Sequence, residues 1–390
     1  MPWNRASQGS RISAPAGAPR FRGRADTPGS AAPGKSGVLL NSVSPYGSRR
    51  LVVEFDGRTT SAYLHDNDGP IAATWIANHT RAPDSVDLAA LRAGVAPEMP
   101  AEHPKHPEGL EPLDPGALSA VWLEEGDGAA ILEHDELLAV IPGWSDLATG
   151  MPGYSRDVIG QTPFGWSLDD ALEGLELRVR QSAQFWRWRA SAGSWHLFQE
   201  ALLGHLLNRL GPGGSYWDVS GGKTPTVGVS ERPPLPNRPY TVLTTVGMSA
   251  QRMPVVEQTG EGAVSRARIE LALATTMPSS EAARVFLWLA QYPWREVTWL
   301  GSGHSIPWYH EPATFPLGGG NEAVLLLDDP SRLLGPEVPN LDGFRASNEP
   351  VRWLWLIPIN ERERRLAMQR SSASLVTQLA AQRRSWVYGP

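Results

Sequence analysis

The chain has 390 residues, 41% of them hydrophobic and 19% charged, which is typical of a globular protein and excludes a wholly disordered, collagen-like or coiled-coil chain. It contains no cysteine, so disulfide bonds, thiolate metal sites and cysteine nucleophiles are excluded. Residues 1–50 hold eight basic side chains and one acidic one, whereas residues 51–390 hold 27 basic and 40 acidic ones, a net charge of −13. Because DNA binding depends on cations that displace counterions, an acidic body argues against nucleic acid and favours a basic protein partner.

The length and hydropathy of the chain predict a protein of two or three domains without a membrane segment. No apolar run approaches 18 residues, and the first 30 residues lack the apolar stretch of a secretion signal. We therefore expect a cytoplasmic protein.

Residues 1–48 are rich in Gly, Pro, Ser, Ala and Arg and have almost no aliphatic residue before Val38, so we predict a disordered basic tail. Within it, Gly29–Ser36 fits the spacing of a phosphate-binding loop, with Lys35 as its lysine. Such a loop needs a buried strand before it and a helix after it. Residues 20–28 do not resemble a strand and Pro45 and Gly47 disfavour a helix, so we reject nucleotide binding.

Residues 50–190 are predicted to form an N-terminal α+β module of unknown role. Asp56-Gly57 between two β-prone runs is a hairpin signal, and a second hairpin is expected to turn at His134-Asp135. Ser167 with Asp170 three residues later is the pattern of a helix cap, and it predicts a helix that ends near Trp186 and Trp188. The predicted strands are 51–55, 58–64, 71–77 and the hairpin 129–141, with a loop at 81–116.

Two segments of this module carry metal-ligand residue types. Glu102, His103, His106 and Glu108 are closely spaced, but they lie in a proline-rich loop without a further ligand pair. Residues 65–69 resemble the start of a calcium loop whose twelfth position lacks the required glutamate. We therefore predict no metal and no cofactor.

Residues 195–390 are predicted to form a second α+β domain, with a mixed or antiparallel sheet and flanking helices. A helix is expected from Ser194 to the glycines after Leu210, with its buried face formed by Trp195, Phe198, Leu202, Leu206 and Leu210. Trp353 and Trp355 are expected on one face of a strand and Leu354 and Leu356 on the other. The predicted strands are 226–230, 240–248, 267–274, 296–300, 323–327 and 351–357. The other predicted helices are 280–292, with Ser279 or Ser280 as its cap, 361–368 and 372–384.

The order of motifs in this second domain resembles the Suppressor of fused (SUFU) domain family, in its bacterial branch. The resemblance is carried by the strand end 244–249, the strand 268–273, the helix that ends in Gln291-Tyr292-Pro293, the segment 298–308 and the strand 353–359. It covers about residues 195–390 and implies a protein-binding domain that is not an enzyme. The animal member of the family holds transcription factors by clamping a short strand between two domains, and bacterial relatives are associated with toxin systems as immunity proteins.

The segment around Gly301-Ser302-Gly303-His304 is the predicted partner-binding site. The resemblance and the two flanking tryptophans favour contacts through seven residues: Trp299, Gly301, Gly303, His304, Pro307, Trp308 and Glu311. A hydrolase with Ser302 and His304 is an alternative interpretation. The serine, however, stands in the second place of the motif and not in the third, as a nucleophile elbow requires.

We therefore predict a non-catalytic binding protein that neutralises or regulates a partner protein, such as the immunity protein of a toxin system. The partner is expected to be a basic toxin or a regulatory protein. A regulatory scaffold that links two partners is the other non-enzymatic interpretation. Strand addition is a further mode of binding if 267–274 or 296–300 lies at a sheet edge.

Overall fold

A computed structural model describes residues 36–389, and these residues divide into two compact units, 36–191 and 192–389. Both units combine helices with sheets, and the sheet of the second unit contains parallel and antiparallel pairs. The predicted α+β class with a mixed sheet is confirmed. The lysine of the loop-like motif, Lys35, lies outside the described residues, and the segment that follows it is a strand and not a helix.

The N-terminal unit contains a four-stranded and a five-stranded sheet. Its strands are β1 (Gly37–Val43), β2 (Arg50–Phe55), β3 (Thr59–His65), β4 (Pro70–Asn78), β5 (Leu118–Trp122), β6 (Ala129–Glu133), β7 (Glu136–Ile141), β8 (Tyr154–Ser155) and β9 (Trp166–Ser167). Its helices are α1 (Leu88–Arg92) and α2 (Leu172–Ala190).

Strand β1 lies within the segment 1–48 that the composition predicts to be a disordered tail, so residues 37–43 depart from that prediction. Val38 and Leu40 pair with Glu54 and Val53 of β2. Leu39 is buried in the core of the unit. A partner strand supplies the hydrogen bonds and the apolar contacts that the composition of this segment does not suggest.

The core of the N-terminal unit lies between its two sheets. Leu51, Val53 and Leu64 of the four-stranded sheet pack in one cluster with Ile131 and Ile141 of the five-stranded sheet. The alternation of these residues along their strands places every second side chain on the inner face. The remaining side chains of β2, β3 and β4 lie on the outer face of their sheet.

The predicted hairpin at 129–141 is confirmed, and it turns at residues with left-handed backbone. His134 and Asp135 adopt φ of 49° and 69° between β6 and β7. Since left-handed backbone costs a residue other than glycine about 1–2 kcal/mol, we expect His134→Asn with Asp135→Gly to raise the free energy of unfolding by about 1 kcal/mol. Urea denaturation of the full chain measures the change. Asp135→Ala is the control and should lower the stability, so a gain with alanine would contradict this explanation.

Helix α2 begins five residues after the predicted cap. Ser167 lies in β9, and residues 169–171 form a 3₁₀ turn without a side-chain cap. The predicted end at the tryptophans is confirmed, and the indole of Trp186 donates to the carbonyl of Trp122 at 2.8 Å. Pairing of Ser167 with β8 therefore takes precedence over the local capping signal.

The C-terminal unit is built on an eight-stranded sheet in the order β10-β11-β12-β13-β17-β15-β14, with the short β16 paired to β17. Its strands are β10 (Tyr216–Asp218), β11 (Gly228–Arg232), β12 (Thr241–Val246), β13 (Arg268–Thr275), β14 (Ser305–Pro307), β15 (Ala323–Leu327), β16 (Arg345–Ala346) and β17 (Glu349–Ile359). Its helices are α3 (Ser194–Leu210), α4 (Ala263–Arg266), α5 (Ser279–Ala282), α6 (Arg284–Leu289), α7 (Tyr292–Glu296), α8 (Glu361–Gln369) and α9 (Ser372–Ala381).

Helix α3 has the predicted bounds and covers one face of this sheet. Leu202, Leu206 and Leu210 are buried in the main cluster of the unit, and they share it with Trp353 and Trp355 of β17. The helix ends at Gly211, which has a φ of 85°. Glycine adopts this conformation without steric cost, and the end of the helix can therefore be predicted from the position of this glycine.

Two predictions for the C-terminal unit are wrong. Residues 280–292 form separate helices, α5 and α6, and not one helix capped by Ser279. The hydroxyl of Ser279 donates to Glu231 of β11 instead. Residues 296–300 are not a strand, because α7 runs through Glu296 and Val297 then turns with a φ of 49°.

The position of β13 excludes the predicted addition of a partner strand at residues 267–274. Its register places it between β12 and the parallel β17, in the interior of the sheet. Residues 267–274 are therefore not an edge, and 296–300 form no strand, so neither can accept a partner strand as predicted. Within the described range, the strands at the two ends of the sheet are β10 and β14. None of the helices in residues 36–389 is long and apolar enough to cross a membrane.

Candidate functional site

The predicted site begins with a turn, residues 299–304, that connects α7 to β14. The indole of Trp299 meets the imidazole of His304 edge to face, with ring centroids 4.4 Å apart. Burial lowers the pKa of His304, and a hydrogen bond with the backbone of Trp299 offsets part of that shift. The two rings therefore pack against each other, and both side chains remain partly exposed.

The two glycines of this turn are required for different reasons. A Cβ on Gly301 would stand 2.5 Å from the ring of Trp299, so only glycine lets the indole lie over the turn. Gly303 has a φ of 88°, and its amide donates to the carbonyl of Leu326 at 2.7 Å. The turn is thereby fixed to β15.

We expect Trp299→Ala to raise the pKa of His304 towards the value of about 6.5 of a free imidazole, because the ring that covers it is removed. An NMR titration of the histidine side chains measures the shift. Trp308→Ala is the matched control, because Trp308 contacts His310 and not His304. An unchanged titration of His304 in Trp299→Ala would contradict the proposed shielding.

Strand β14 continues from the turn and is the last strand of the sheet on that side. The amide of Leu326 donates to the carbonyl of His304, and the amide of Trp308 donates to the carbonyl of Glu322. Since neighbouring residues direct their backbone groups to opposite edges, Ser305 and Pro307 face away from β15. Pro307 has no amide to donate, which suits it to this edge. Ser305 therefore offers an amide and a carbonyl, and Pro307 a carbonyl only.

Trp308 follows β14 and is the centre of an aromatic cluster. Its ring lies 5.1 Å from that of Trp288, 6.2 Å from that of Phe315 and 4.8 Å from that of His310. Its indole donates to the hydroxyl of Thr314 at 3.0 Å. These contacts hold the partly exposed indole in one orientation.

Glu311 and Tyr309 are the exposed members of this segment. Glu311 is exposed, and its carbonyl accepts the amide of Thr314. Tyr309 is not among the predicted site residues, although 68% of its surface is exposed and its hydroxyl lies 3.4 Å from that of Tyr292. The signal in the sequence that could have indicated its exposure is that Tyr309 follows Trp308 and belongs to no apolar pattern of a strand or a helix.

The predicted residues thus form two groups joined by β14. Trp299, Gly301, Gly303 and His304 belong to the turn, and Trp308 and Glu311 belong to the aromatic segment. The turn also lines a pocket of about 330 Å³, and two arginines, Arg266 and Arg352, line the same pocket. We call the turn, β14 and the segment 308–315 together the β14 surface.

Ser302 and His304, the two residues of the alternative hydrolase interpretation, contact different partners. The hydroxyl of Ser302 donates to the carboxylate of Asp328 at 2.6 Å, and it accepts the amide of the same residue. The imidazole of His304 instead contacts Trp299. The pairing of serine with histidine that the hydrolase interpretation needs is therefore not formed here.

The histidines of the proline-rich loop also contact separate partners. His106 pairs with Asp157, whereas His103 lies 3.3 Å from Glu102. Within residues 36–389, no three His, Asp or Glu side chains are grouped so that they could hold a metal ion.

Residues 223–390 match the sequence model of the family described as Suppressor of fused protein (SUFU). The predicted resemblance is therefore confirmed over this part of the chain, which includes every residue of the β14 surface. No curated protein matches the chain in a sequence search.

Three solved structures of SUFU proteins are similar to the chain. A SUFU homologue from Neisseria gonorrhoeae is 15% identical, with 50% of this chain and 94% of that chain covered and a TM-score of 0.35. The Sufu-Fu complex has 14% identity, coverages of 48% and 85%, and a TM-score of 0.34. Drosophila Suppressor of Fused has 14% identity, coverages of 48% and 48%, and a TM-score of 0.33.

Proposed function

We propose that the C-terminal unit binds a partner protein through the β14 surface, and that the chain thereby neutralises or regulates that partner without catalysing a reaction. The observation that carries this proposal is the edge strand β14, which lies between two partly exposed tryptophans, Trp299 and Trp308. The match of residues 223–390 to a family named for a regulatory protein supports it. One of the similar structures, the Sufu-Fu complex, contains a protein partner.

The geometry of β14 suits a short extended segment of the partner. A partner strand could accept the amide of Ser305 and donate to the carbonyls of Ser305 and Pro307. Trp299 and Trp308 flank this edge and offer rigid apolar area at small entropic cost. The missing amide of Pro307 limits the length of such a strand, so most of the affinity would come from the aromatic side chains.

The charge of the chain favours a basic partner. Residues 51–390 carry a net charge of −13, and opposite charge accelerates association over distances of about one Debye length. Toxins that cleave nucleic acid need a cationic groove for phosphates, and such a groove would be attracted by the net negative charge of this chain. We therefore infer an immunity protein of a toxin system in bacteria, acting in the cytoplasm. Arg266 and Arg352 beside the turn would contact an acidic or carbonyl group of the same partner.

The proposal is tested with the protein encoded by the neighbouring gene, co-expressed with the full chain and measured by surface plasmon resonance. We expect a complex whose association rate falls as salt rises from 0.05 to 0.5 M. We expect Trp308→Ala to weaken it by about 2 kcal/mol or more, since a tryptophan that becomes buried on binding is a typical hot spot. Glu311→Lys should slow association.

Glu337→Lys is the matched control for Glu311→Lys, because both carboxylates belong to exposed residues of the same unit. It should change binding less than Glu311→Lys does. If Trp308→Ala and Glu311→Lys bind like the wild type while circular dichroism shows an intact fold, the β14 surface is not the binding site. An association rate that does not depend on salt would contradict the proposed basic partner.

One structural observation favours the scaffold as a second candidate function. The two units have separate cores, so each could bind a partner of its own. Partner binding that persists when Trp308 is replaced but is lost when a surface of the N-terminal unit is changed would favour the scaffold.

A further inference from the structure

The N-terminal unit carries an apolar groove, which lies within the unit that the proposed function does not use. Its floor is formed by Ser61, Tyr63 and Ala73, on the outer face of β3 and β4. Two adjoining pockets of about 340 and 260 Å³ share Ser61, Tyr63 and Ala96, so they form one continuous depression. The larger volume is at the lower end of the range for ligand sites and fits one large side chain with its neighbours.

The walls of the groove are apolar and incompletely covered. Val95, Leu147 and Met151 line the larger pocket and are 38%, 47% and 39% exposed. Phe164 also lines this pocket. Large aliphatic side chains exposed together in a concave surface are typical of a place where another molecule binds.

Backbone hydrogen bonds hold the walls in place. The amide of Leu147 donates to the carbonyl of Ile71 at 2.8 Å, and the amide of Trp75 donates to the carbonyl of Phe164 at 2.8 Å. The amide of Val95 donates to the carbonyl of Ala90 at 3.0 Å. A groove that is already formed saves a ligand the entropy of ordering it.

The charges around the groove have one sign. Glu54, Asp56 and Asp146 are the charged residues among those that line the two pockets. The nearby Arg58 lies 3.0 Å from Asp56 and 2.6 Å from Glu98, so it compensates part of this charge. The carboxylate of Glu54 is exposed and forms no ion pair with any residue in the described range, which leaves it available to an incoming cation.

We propose that this groove binds an extended segment of a partner protein in which one aromatic side chain is flanked by arginines. The aromatic ring enters the larger pocket between Val95 and Leu147, where it removes apolar surface from water on both sides. The flanking guanidinium groups pair with Glu54 and Asp146 at the two ends. The occupant is argued from this complementarity of charge and from the pocket size, and the site is independent of the β14 surface.

The test uses the full chain and a fluorescein-labelled peptide of sequence Gly-Arg-Phe-Arg-Gly, with fluorescence anisotropy as the readout. We expect saturable binding that weakens as salt is added. Leu147→Asp and Glu54→Lys should each weaken it by about tenfold. The peptide Gly-Glu-Phe-Glu-Gly should bind at least tenfold more weakly than the basic one.

Two variants serve as matched controls. Leu177→Asp changes an exposed leucine of α2 outside the groove, and Glu111→Lys reverses an exposed charge elsewhere in the same unit. Both should bind the basic peptide like the wild type. Equal affinity for the two peptides, or equal effects of the groove and control variants, would overturn the proposal.

A further variant tests whether the chain itself occupies the groove. Arg20, Phe21 and Arg22 have the composition that the groove would bind, and they lie outside the described residues. If Phe21→Ala in the full chain tightens peptide binding by more than threefold, the occupant is a segment of this chain and not a partner. Unchanged affinity in Phe21→Ala supports the partner. Because no step of this test involves the β14 surface, a negative result leaves the proposed function unaffected.

Discussion

Glu270→Ala is expected to lower the free energy of unfolding of the C-terminal unit by about 3–5 kcal/mol. Glu270 lies in the interior strand β13 and is fully buried. Its carboxylate accepts the amides of Gly247 and Ser249 and the hydroxyls of Ser249 and Thr245, at 2.6 to 3.0 Å. Alanine would remove the acceptor that these four buried donors share. Urea denaturation followed by circular dichroism measures the loss.

Glu270→Gln is the matched control, since glutamine keeps the volume and one accepting oxygen. It should cost less than alanine does. Equal losses for the two variants would show that the cavity, and not the unpaired donors, determines the effect.

The same residue makes a prediction about pH. Burial raises the pKa of Glu270, and its four hydrogen bonds offset part of the shift. A raised pKa means that the native state binds the proton more tightly than the unfolded state does. The stability contributed by this group is therefore complete below the unfolded pKa of about 4.3 and is lost as the pH rises through the folded pKa. Glu270→Gln should flatten this part of the dependence of stability on pH, and an unchanged slope would contradict it.

Trp386→Ala is expected to lower the free energy of unfolding of the same unit by about 3–5 kcal/mol. Trp386 is 1% exposed, and its ring packs edge to face against Tyr240 and Trp355, with centroids 5.5 and 5.2 Å away. Its indole donates to the carbonyl of Pro336 at 3.0 Å. Alanine would leave a large cavity and one unpaired carbonyl.

Trp386→Phe separates these two contributions, since phenylalanine fills most of the space but cannot donate a hydrogen bond. We expect it to cost about 1–2 kcal/mol. Because tryptophan fluorescence changes with the substitution itself, thermal and urea transitions should be followed by far-ultraviolet circular dichroism. A loss below 1 kcal/mol in Trp386→Ala would mean that the last residues of the chain do not contribute to this core.

Much of the fold follows from local signals in the sequence. The bounds of α3 follow from the apolar spacing of Leu202, Leu206 and Leu210 and from the glycine after them. The hairpin at His134-Asp135 and the two faces of β17 follow from patterns of two to eight residues. Each of these features depends on contacts between near neighbours in the chain, so a short stretch of sequence is sufficient to predict it.

The errors arise where a distant contact overrides the local signal. The hydroxyl of Ser279 resembles a helix cap but is taken by Glu231, and Ser167 pairs with β8 before α2 begins. Strand β1 lies in a segment whose overall composition predicts a tail, and it depends on β2 for its hydrogen bonds. The contact of Trp308 with Trp288, which orients the exposed part of the site, joins residues on different elements.

By itself, the sequence determined the α+β class, the acidic body, the absence of cysteine chemistry and the resemblance of its second half to SUFU proteins. The tertiary structure alone decided which strands lie at the sheet edges, that Ser302 is hydrogen-bonded to Asp328, and that an apolar groove lined by three acidic residues lies on the outer face of β3 and β4. The physical reason is the range of the interactions involved. Turns and helix ends are set within a few residues, whereas strand order, burial and grooves depend on pairs of residues far apart in the chain, which no local pattern specifies.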